Sequence, residues 1–408
     1  MVRTLISRIW LLGFLGGMMA SEPTSLTAAE ATPVVPPSLT SLSTTLASLT
    51  EEELAALPPE LRAELEALKL PVWQVGGTVR ASAGWRDNVL LSSVDADDRF
   101  FLRGQLETFG WRLPKGDWEW VGFLNGDVTR YLDPPSEIAG EQEWFAHAEV
   151  RWQPRPAVRA TLTTQGYFQD QVFDLSATEA ERLVARLRVQ GAMAGGEVRV
   201  SPSSVISLTA FGQGHRSDYR EFQEDFDEGK VGGRLVWTPS GGVTLTASLL
   251  SRRRDYAERP EYTAGGRALT GTLLSLTQQE VELKAQFSRG SWSTSLVVLG
   301  LENRDDASGY FDYDERRARL ALAWKKERWR LSLEGAGVRY LYRVQTVGTG
   351  FDPPRRRRED AEVSMRAERS VRERWTLFAE GRWERSRSNE ENASYATKAL
   401  LAGAAFAF

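Results

Sequence analysis

His215-Arg216-Ser217 is the stretch of this chain whose residue types and spacing could assemble a nucleophile and its base. Residues two apart on an extended strand share a face, so His215 could take the hydroxyl proton of Ser217. Other covalent chemistry finds little to work with. The chain has no cysteine and 2 histidines, which excludes cysteine metal sites, disulfides and a histidine metal cluster. Carboxylates at 95–98 approach a calcium loop, but their spacing does not fit one. No glycine-rich phosphate loop runs from a strand into a helix, so no cofactor is implied. Carboxylates are plentiful but alternate with cations, so no pair of them marks a glycosidase.

Charge can also act physically, by lining a path. Glu280, Glu282, Lys284, Arg317, Arg319, Arg366, Glu368, Glu380 and Arg382 recur at every second position of extended segments. So do Arg103, Gln105, Glu107, Glu119, Asp127, Glu149, Arg151, Arg186 and Arg188. Such an array either lines a water-filled pore or forms cross-strand ion pairs that fill a lumen. A third set, Arg252, Arg253, Arg254, Arg355, Arg356, Arg357 and Arg358, is expected at a rim. There the forked donors of arginine would meet lipopolysaccharide phosphates or another anion, or simply be solvated. Acids interrupt the basic residues and no binding module is apparent, so a nucleic-acid role is excluded.

The elements that must position these groups are strands. From residue 73 to 408 the hydrophobic pattern has period two, as in Glu280-Val281-Glu282-Leu283-Lys284-Ala285-Gln286-Phe287. Short turns near 114–117, 154–156, 201–204, 239–242, 289–290, 326–327 and 372–373 alternate with longer loops. The pattern predicts about sixteen strands in an all-β, antiparallel, up-and-down transmembrane barrel. Trp111, Trp118, Trp120, Trp152, Trp237, Trp292, Trp324, Trp329 and Trp375 sit beside the short turns. Tyr131, Tyr167, Tyr219, Tyr256, Tyr310, Tyr340, Tyr342 and Tyr395 lie toward the long loops. The two groups are expected as interfacial girdles, which a soluble β-sandwich has no reason to sort by end. A propeller of similar repeat length would need shorter strands.

Mean hydropathy of -0.37 and 26% charged residues look like a soluble protein, because barrel strands present only every second residue to lipid. Residues 1–20, with Arg3 and Arg8 before a short apolar run, read as a secretory signal with cleavage as late as 31. A flexible leader follows over 21–45, then short amphipathic helices over 46–70 that either stay periplasmic or plug the barrel.

Two resemblances bear on function. The ending Ala404-Ala405-Phe406-Ala407-Phe408 resembles the closing strand of Gram-negative outer-membrane barrels, which implies that Phe406 and Phe408 are read by the barrel-assembly machinery. Gly84-Trp85-Arg86-Asp87-Asn88-Val89, with Arg216-Ser217-Asp218-Tyr219 and Arg253-Arg254-Asp255-Tyr256, resembles β-barrel porin families linked to exopolysaccharide systems. That likeness implies an outer-membrane channel for small polar solutes, or an accessory of surface-polysaccharide export with proteins of that system as partners. A non-conducting structural or assembly barrel is the alternative. His215-x-Ser217 also has the spacing seen in outer-membrane lipid hydrolases such as phospholipase A and the lipid A deacylase. Those enzymes use an Asn or Glu on the next strand; position 229 is Gly, and Glu228, one residue away, is expected to face the other side. The expectation is therefore a channel rather than an enzyme.

Overall fold

The computed structural model describes residues 73–93, 96–133, 138–174, 184–220, 224–391 and 393–408. The expected signal, leader and 46–70 helices lie outside the described residues. The chain opens with β1 (Trp73–Arg86), β2 (Arg99–Lys115), β3 (Trp118–Tyr131) and β4 (Gly140–Arg155). It continues with β5 (Val158–Asp174), β6 (Val184–Val200), β7 (Ile206–Tyr219) and β8 (Phe226–Ser240). Next come β9 (Val243–Tyr256), β10 (Ser275–Arg289), β11 (Trp292–Asp305) and β12 (Tyr313–Lys326). The last are β13 (Trp329–Thr346), β14 (Arg355–Ser370), β15 (Trp375–Ser388) and β16 (Tyr395–Ala407). Each pairs antiparallel with its neighbours, and β1 pairs with β16, from Thr78 opposite Ala407 to Arg86 opposite Ala399. The 16 strands thus close into one barrel without an edge.

Period two sets what each strand shows to either side. On β10, Glu280, Glu282 and Lys284 are partly covered inside while Val281, Leu283 and Phe287 stand exposed outside, Leu283 at 56%. Leu102, Leu162, Val231, Leu249, Val298, Met365 and Leu400 continue that exposed apolar band around the circumference. An apolar surface of this extent belongs in hydrocarbon, where closure is what keeps every backbone N–H and C=O paired. Strands of 13 to 18 residues exceed the roughly 9–11 that a tilted strand needs to span a bilayer.

Turns fall where the sequence predicts. Gly290, at φ 58°, joins β10 to β11 in the left-handed region that a tight hairpin needs, and Glu327 does the same at φ 52° between β12 and β13. Trp118, Trp152, Trp237, Trp292, Trp329 and Trp375 project outward at this end as a girdle. Trp111 is an exception; it shares the face of Arg103 and donates to Glu119 at 2.7 Å.

The tyrosines correct the second girdle. Tyr131, Tyr167, Tyr256, Tyr313, Tyr340, Tyr342 and Tyr395 do lie at the long-loop end, but all are buried inside, Tyr340 at 1% exposure. Leu299, Leu301, Val338 and the rings of Tyr313, Tyr340 and Tyr342 form one inner cluster. Phe226, Tyr256, Leu274, Leu276 and Phe311 form another. The outer half of the lumen is therefore packed, whereas toward the short turns many inner side chains are only partly covered, with Arg366, Glu368, Phe378, Glu380 and Thr209 buried among them.

At the seam, Gly403 of β16 lies so close to β1 that a Cβ there would run into the Ala81 carbonyl and Ser82. Gly403→Val should weaken closure, costing about 1–3 kcal/mol, the usual range for overpacking. A lower urea midpoint of the refolded barrel would register it, and an unchanged midpoint would contradict the close contact.

Candidate functional site

Charged side chains inside the barrel meet in register rather than at random. Arg80 of β1 forks onto Glu107 of β2, its Nη2 donating at 2.9 Å. Arg103 donates to Asp127 through Nε at 2.8 Å, and the Gln105 amide joins at 2.8 Å. Arg319 reaches Glu334 at 2.7 Å. Arg366 sits between Glu368 at 2.8 Å and Glu380 at 2.9 Å, with Phe378 under its guanidinium at 4.2 Å. Arg382 meets Glu362 at 2.7 Å and Glu384 at 3.5 Å. Arg317 pairs with Glu315 at 2.7 Å. All nine expected wall residues, from Glu280 to Arg382, lie on this inner face. Forked arginine–carboxylate pairing of this kind holds both charges in place and stiffens the wall.

Arg186 and Arg188 depart from expectation. They alternate with buried Leu187 and Val189, stand on the opposite face of β6, and bracket Asp170 at 2.6 and 3.3 Å.

The arginine set expected at a rim divides by parity. Arg253, Arg355 and Arg357 point outward and are exposed. Arg252, Arg254, Arg356 and Arg358 are buried inside, which removes them from contact with lipid headgroups. Arg355–Arg358 also belong to β14 rather than to a loop, so alternate residues must take opposite faces. Inside, Arg254 reaches Glu228 at 2.7 Å over the Phe226 ring at 3.9 Å, and Arg252 lies 3.7 Å from both Glu228 and Glu280. Arg356 contacts Gln345 at 2.7 Å and Glu390 at 3.0 Å.

Arg358 does something no in-register pair can do. Its Nη2 donates at 2.8 Å to Asp174, the last residue of β5, while its Nε holds Asp360 at 2.8 Å. Strands β5 and β14 are seven strand steps apart around the barrel, so the contact requires the β5–β6 hairpin to lean across the mouth. Val172 of β5 and Leu401 of β16 accordingly pack on one cluster of Val89, Phe101, Tyr131 and Ile138. A cavity of about 380 Å³ remains beside the leaning hairpin, lined by Leu90, Ser92, Ile138, Val172, Val184, Ala185 and Arg186. Arg358 is 2% exposed at its side chain, which makes this the most enclosed charge contact across the lumen among those described. Loop residue Arg259 adds to the cover, pairing with Glu224 at 2.9 Å above Phe311 at 4.6 Å. In the next loop, burial pushes the Asp312 carboxyl above the usual carboxylate range, opposed by the Asp305 N–H that donates to it at 2.8 Å.

His215 and Ser217 do meet, with Oγ and Nε2 3.1 Å apart, but on the inner face. The Tyr167 hydroxyl bonds to Ser217 and lies 3.0 Å from His215 Nε2. Ser217 has 0% exposure, so a lipid carbonyl outside the barrel has no path to it. Glu228 corrects the sequence expectation: the register places it directly opposite His215, on the same face. Its carboxylate is nonetheless held by Arg254. Phe406 and Phe408 lie on the lipid side, and Trp375 packs on Phe406 at 5.1 Å. Among the described residues no group of three or more His, Asp or Glu side chains could hold a metal ion.

No family model and no curated protein sequence matches the chain. Among solved structures, it is similar to the anion-selective porin from Comamonas acidovorans, with a TM-score of 0.47 and 11% identity over 82% of this chain and 99% of that one. It is similar to Pseudomonas aeruginosa OpdK with vanillate at TM-score 0.45 and 10% identity, covering 82% and 99%. A bacterial polysaccharide outer membrane secretin gives 0.41 at 11% identity, covering 81% and 98%.

The hydrogen-bonded group around Ser217 is enclosed by the inner wall. Ser217→Ala should leave any lipid hydrolysis by the purified barrel unchanged and lower its stability by about 1–3 kcal/mol, because the buried Tyr167 hydroxyl loses a partner. Fatty-acid release by the wild type that disappears in Ser217→Ala would identify an enzyme instead.

Proposed function

We propose that the protein is an outer-membrane, porin-like channel for the passive passage of small polar solutes. The observation that carries this reading is the inner wall: charged and amide side chains continue around a barrel whose outside is apolar, and toward the short turns many of them, among them Glu119, Arg151, Lys284, Gln286 and Glu334, remain partly open to solvent. A barrel needing only a filled interior is served by apolar packing, since a buried ion pair adds little over hydrophobic residues of similar volume. Sixteen strands is also the size at which barrels leave an aqueous channel. Glu280, Glu282, Lys284, Arg317, Arg319, Arg366, Glu368, Glu380 and Arg382 would then set the field that a solute crosses.

The Arg358–Asp174 contact favours small solutes over a polymer, because it narrows the outer mouth. Accessory service to polysaccharide export would have to go through partner proteins rather than through this lumen. The outward Arg253, Arg355 and Arg357 are the members of the rim set suited to lipopolysaccharide phosphates. Phe406 and Phe408, on the lipid side of the closing strand, suit recognition by the barrel-assembly machinery.

The same cross-lumen contact is the specific observation behind a second reading, a barrel sealed at rest. Planar-bilayer recording of the refolded full chain separates the two. An open channel gives stable current steps proportional to salt, and Asp174→Asn or Arg358→Gln enlarges them. A sealed barrel is silent in the wild type and conducts in those variants. Silence in all three from demonstrably folded protein would remove the channel reading.

A further inference from the structure

Most inner-wall arginines among the described residues have a carboxylate within 4 Å; Arg330 of β13 does not, nor do three that lie on neighbouring strands. Among the described residues, Arg159 of β5 hydrogen-bonds the Gln153 amide oxygen alone, at 2.9 and 3.2 Å. Arg234 of β8 has the Phe211 ring at 5.6 Å and, among the described residues, no ion pair. Arg199 of β6 has no hydrogen bond or ion pair among the described residues.

Register brings the three together. Arg199 stands directly opposite Arg159 on one side and Thr209 on the other, and Thr209 stands directly opposite Arg234. Directly opposed residues share a face, and Thr209 is buried inside, so the whole row faces the lumen. With strands about 4.8 Å apart, the row from Arg159 to Arg234 spans roughly 15 Å. It lies near the short-turn end, where much of the wall is only partly covered. Glu197, two residues before Arg199 on the same face, forms no ion pair with any of them; with the neighbouring Arg151 and its partners Glu119 and Glu149, whose charges also act on Arg159, four cations face three anions, a net charge of +1.

Like charges set directly opposite one another across a strand pair repel and destabilise the sheet. Most arginines of this wall meet that cost with a carboxylate within 4 Å; among the described residues none lies that close to Arg159, Arg199 or Arg234. An oxyanion would remove that cost, because each guanidinium presents a planar fork of donors matched to phosphate or carboxylate. We propose that Arg159, Arg199 and Arg234 form a binding step for small oxyanions on the inner wall, near the short-turn mouth. The proposal deepens the channel reading by naming the class of solute, but binding itself does not require conduction.

The test therefore pairs a binding readout with an electrical one, on refolded full chain in lipid-free detergent micelles and in planar bilayers. Inorganic phosphate, at constant ionic strength against chloride, should raise the urea midpoint saturably. Arg199→Gln and Arg234→Gln, each checked for native heat-modifiable mobility, should weaken that phosphate response about tenfold, the loss expected for one charge-assisted hydrogen bond. Acetate in place of phosphate tells whether carboxylates share the site. In bilayers, Arg199→Glu should shift the reversal potential in a potassium chloride gradient toward cation selectivity, whereas Arg385→Gln on the outer face should not. Saturable binding by a silent barrel would uphold the site and discard the channel. A conducting barrel with no saturable phosphate effect, or with one that both Gln variants retain in full, would overturn the site and leave the channel standing.

Discussion

Closure in hydrocarbon is the constraint on which the rest of this structure depends. A backbone polar group left unpaired among lipid tails is costly, and a sheet avoids that cost only by returning to its own first strand. Here the return is the β1–β16 ladder, tightened by Gly403 against Ala81. Once the sheet is closed, period two divides every strand into a lipid face and a lumen face. The outer face has no alternative to apolar side chains. The inner face is free to be polar, and its charges then find each other along the ladder.

The two halves of the lumen use that freedom differently. Toward the long loops, tyrosines, Phe226 and Phe311 pack into separate clusters with buried arginines among them, and Arg358 ties β14 across the mouth to Asp174 at the end of β5. Guanidinium groups laid over rings, as in Arg254 on Phe226 and Arg366 on Phe378, combine charge with packing. Toward the short turns many inner heads are partly solvated, including arginines with no carboxylate within 4 Å among the described residues.

Much of this was legible in residue order. Glu280, Glu282 and Lys284 could be placed inside because they alternate with Val281, Leu283 and Phe287, and the turn signals supplied the strand count. Parity also held information that went unused. Tyr340 shares parity with Glu334, Tyr313 with Arg317 and Tyr395 with Thr397, so each tyrosine was marked as inward despite its interfacial chemistry. Arg356 and Arg358 share parity with Arg366 and Glu368 in the same way, so the β14 alternation marks them as inward although their place at a rim suggests lipid contact. Glu228 was misplaced for another reason: its face relative to His215 depends on the hairpin register, which a loop of uncertain span does not fix.

Residue order alone carries the period-two pattern, the number of strands and, for most of them, the face that meets lipid, and hence that the chain spans a membrane as a closed sheet. These are local consequences of a two-residue repeat read against an apolar solvent. Only the tertiary structure decided that Asp174 meets Arg358, that the His215–Ser217 pair is enclosed, and that Arg159, Arg199 and Arg234 share one unanswered row. Each depends on distances between residues far apart in the chain, set by the register of paired strands or by the lean of a hairpin across the mouth. No periodicity within a single strand encodes either of them.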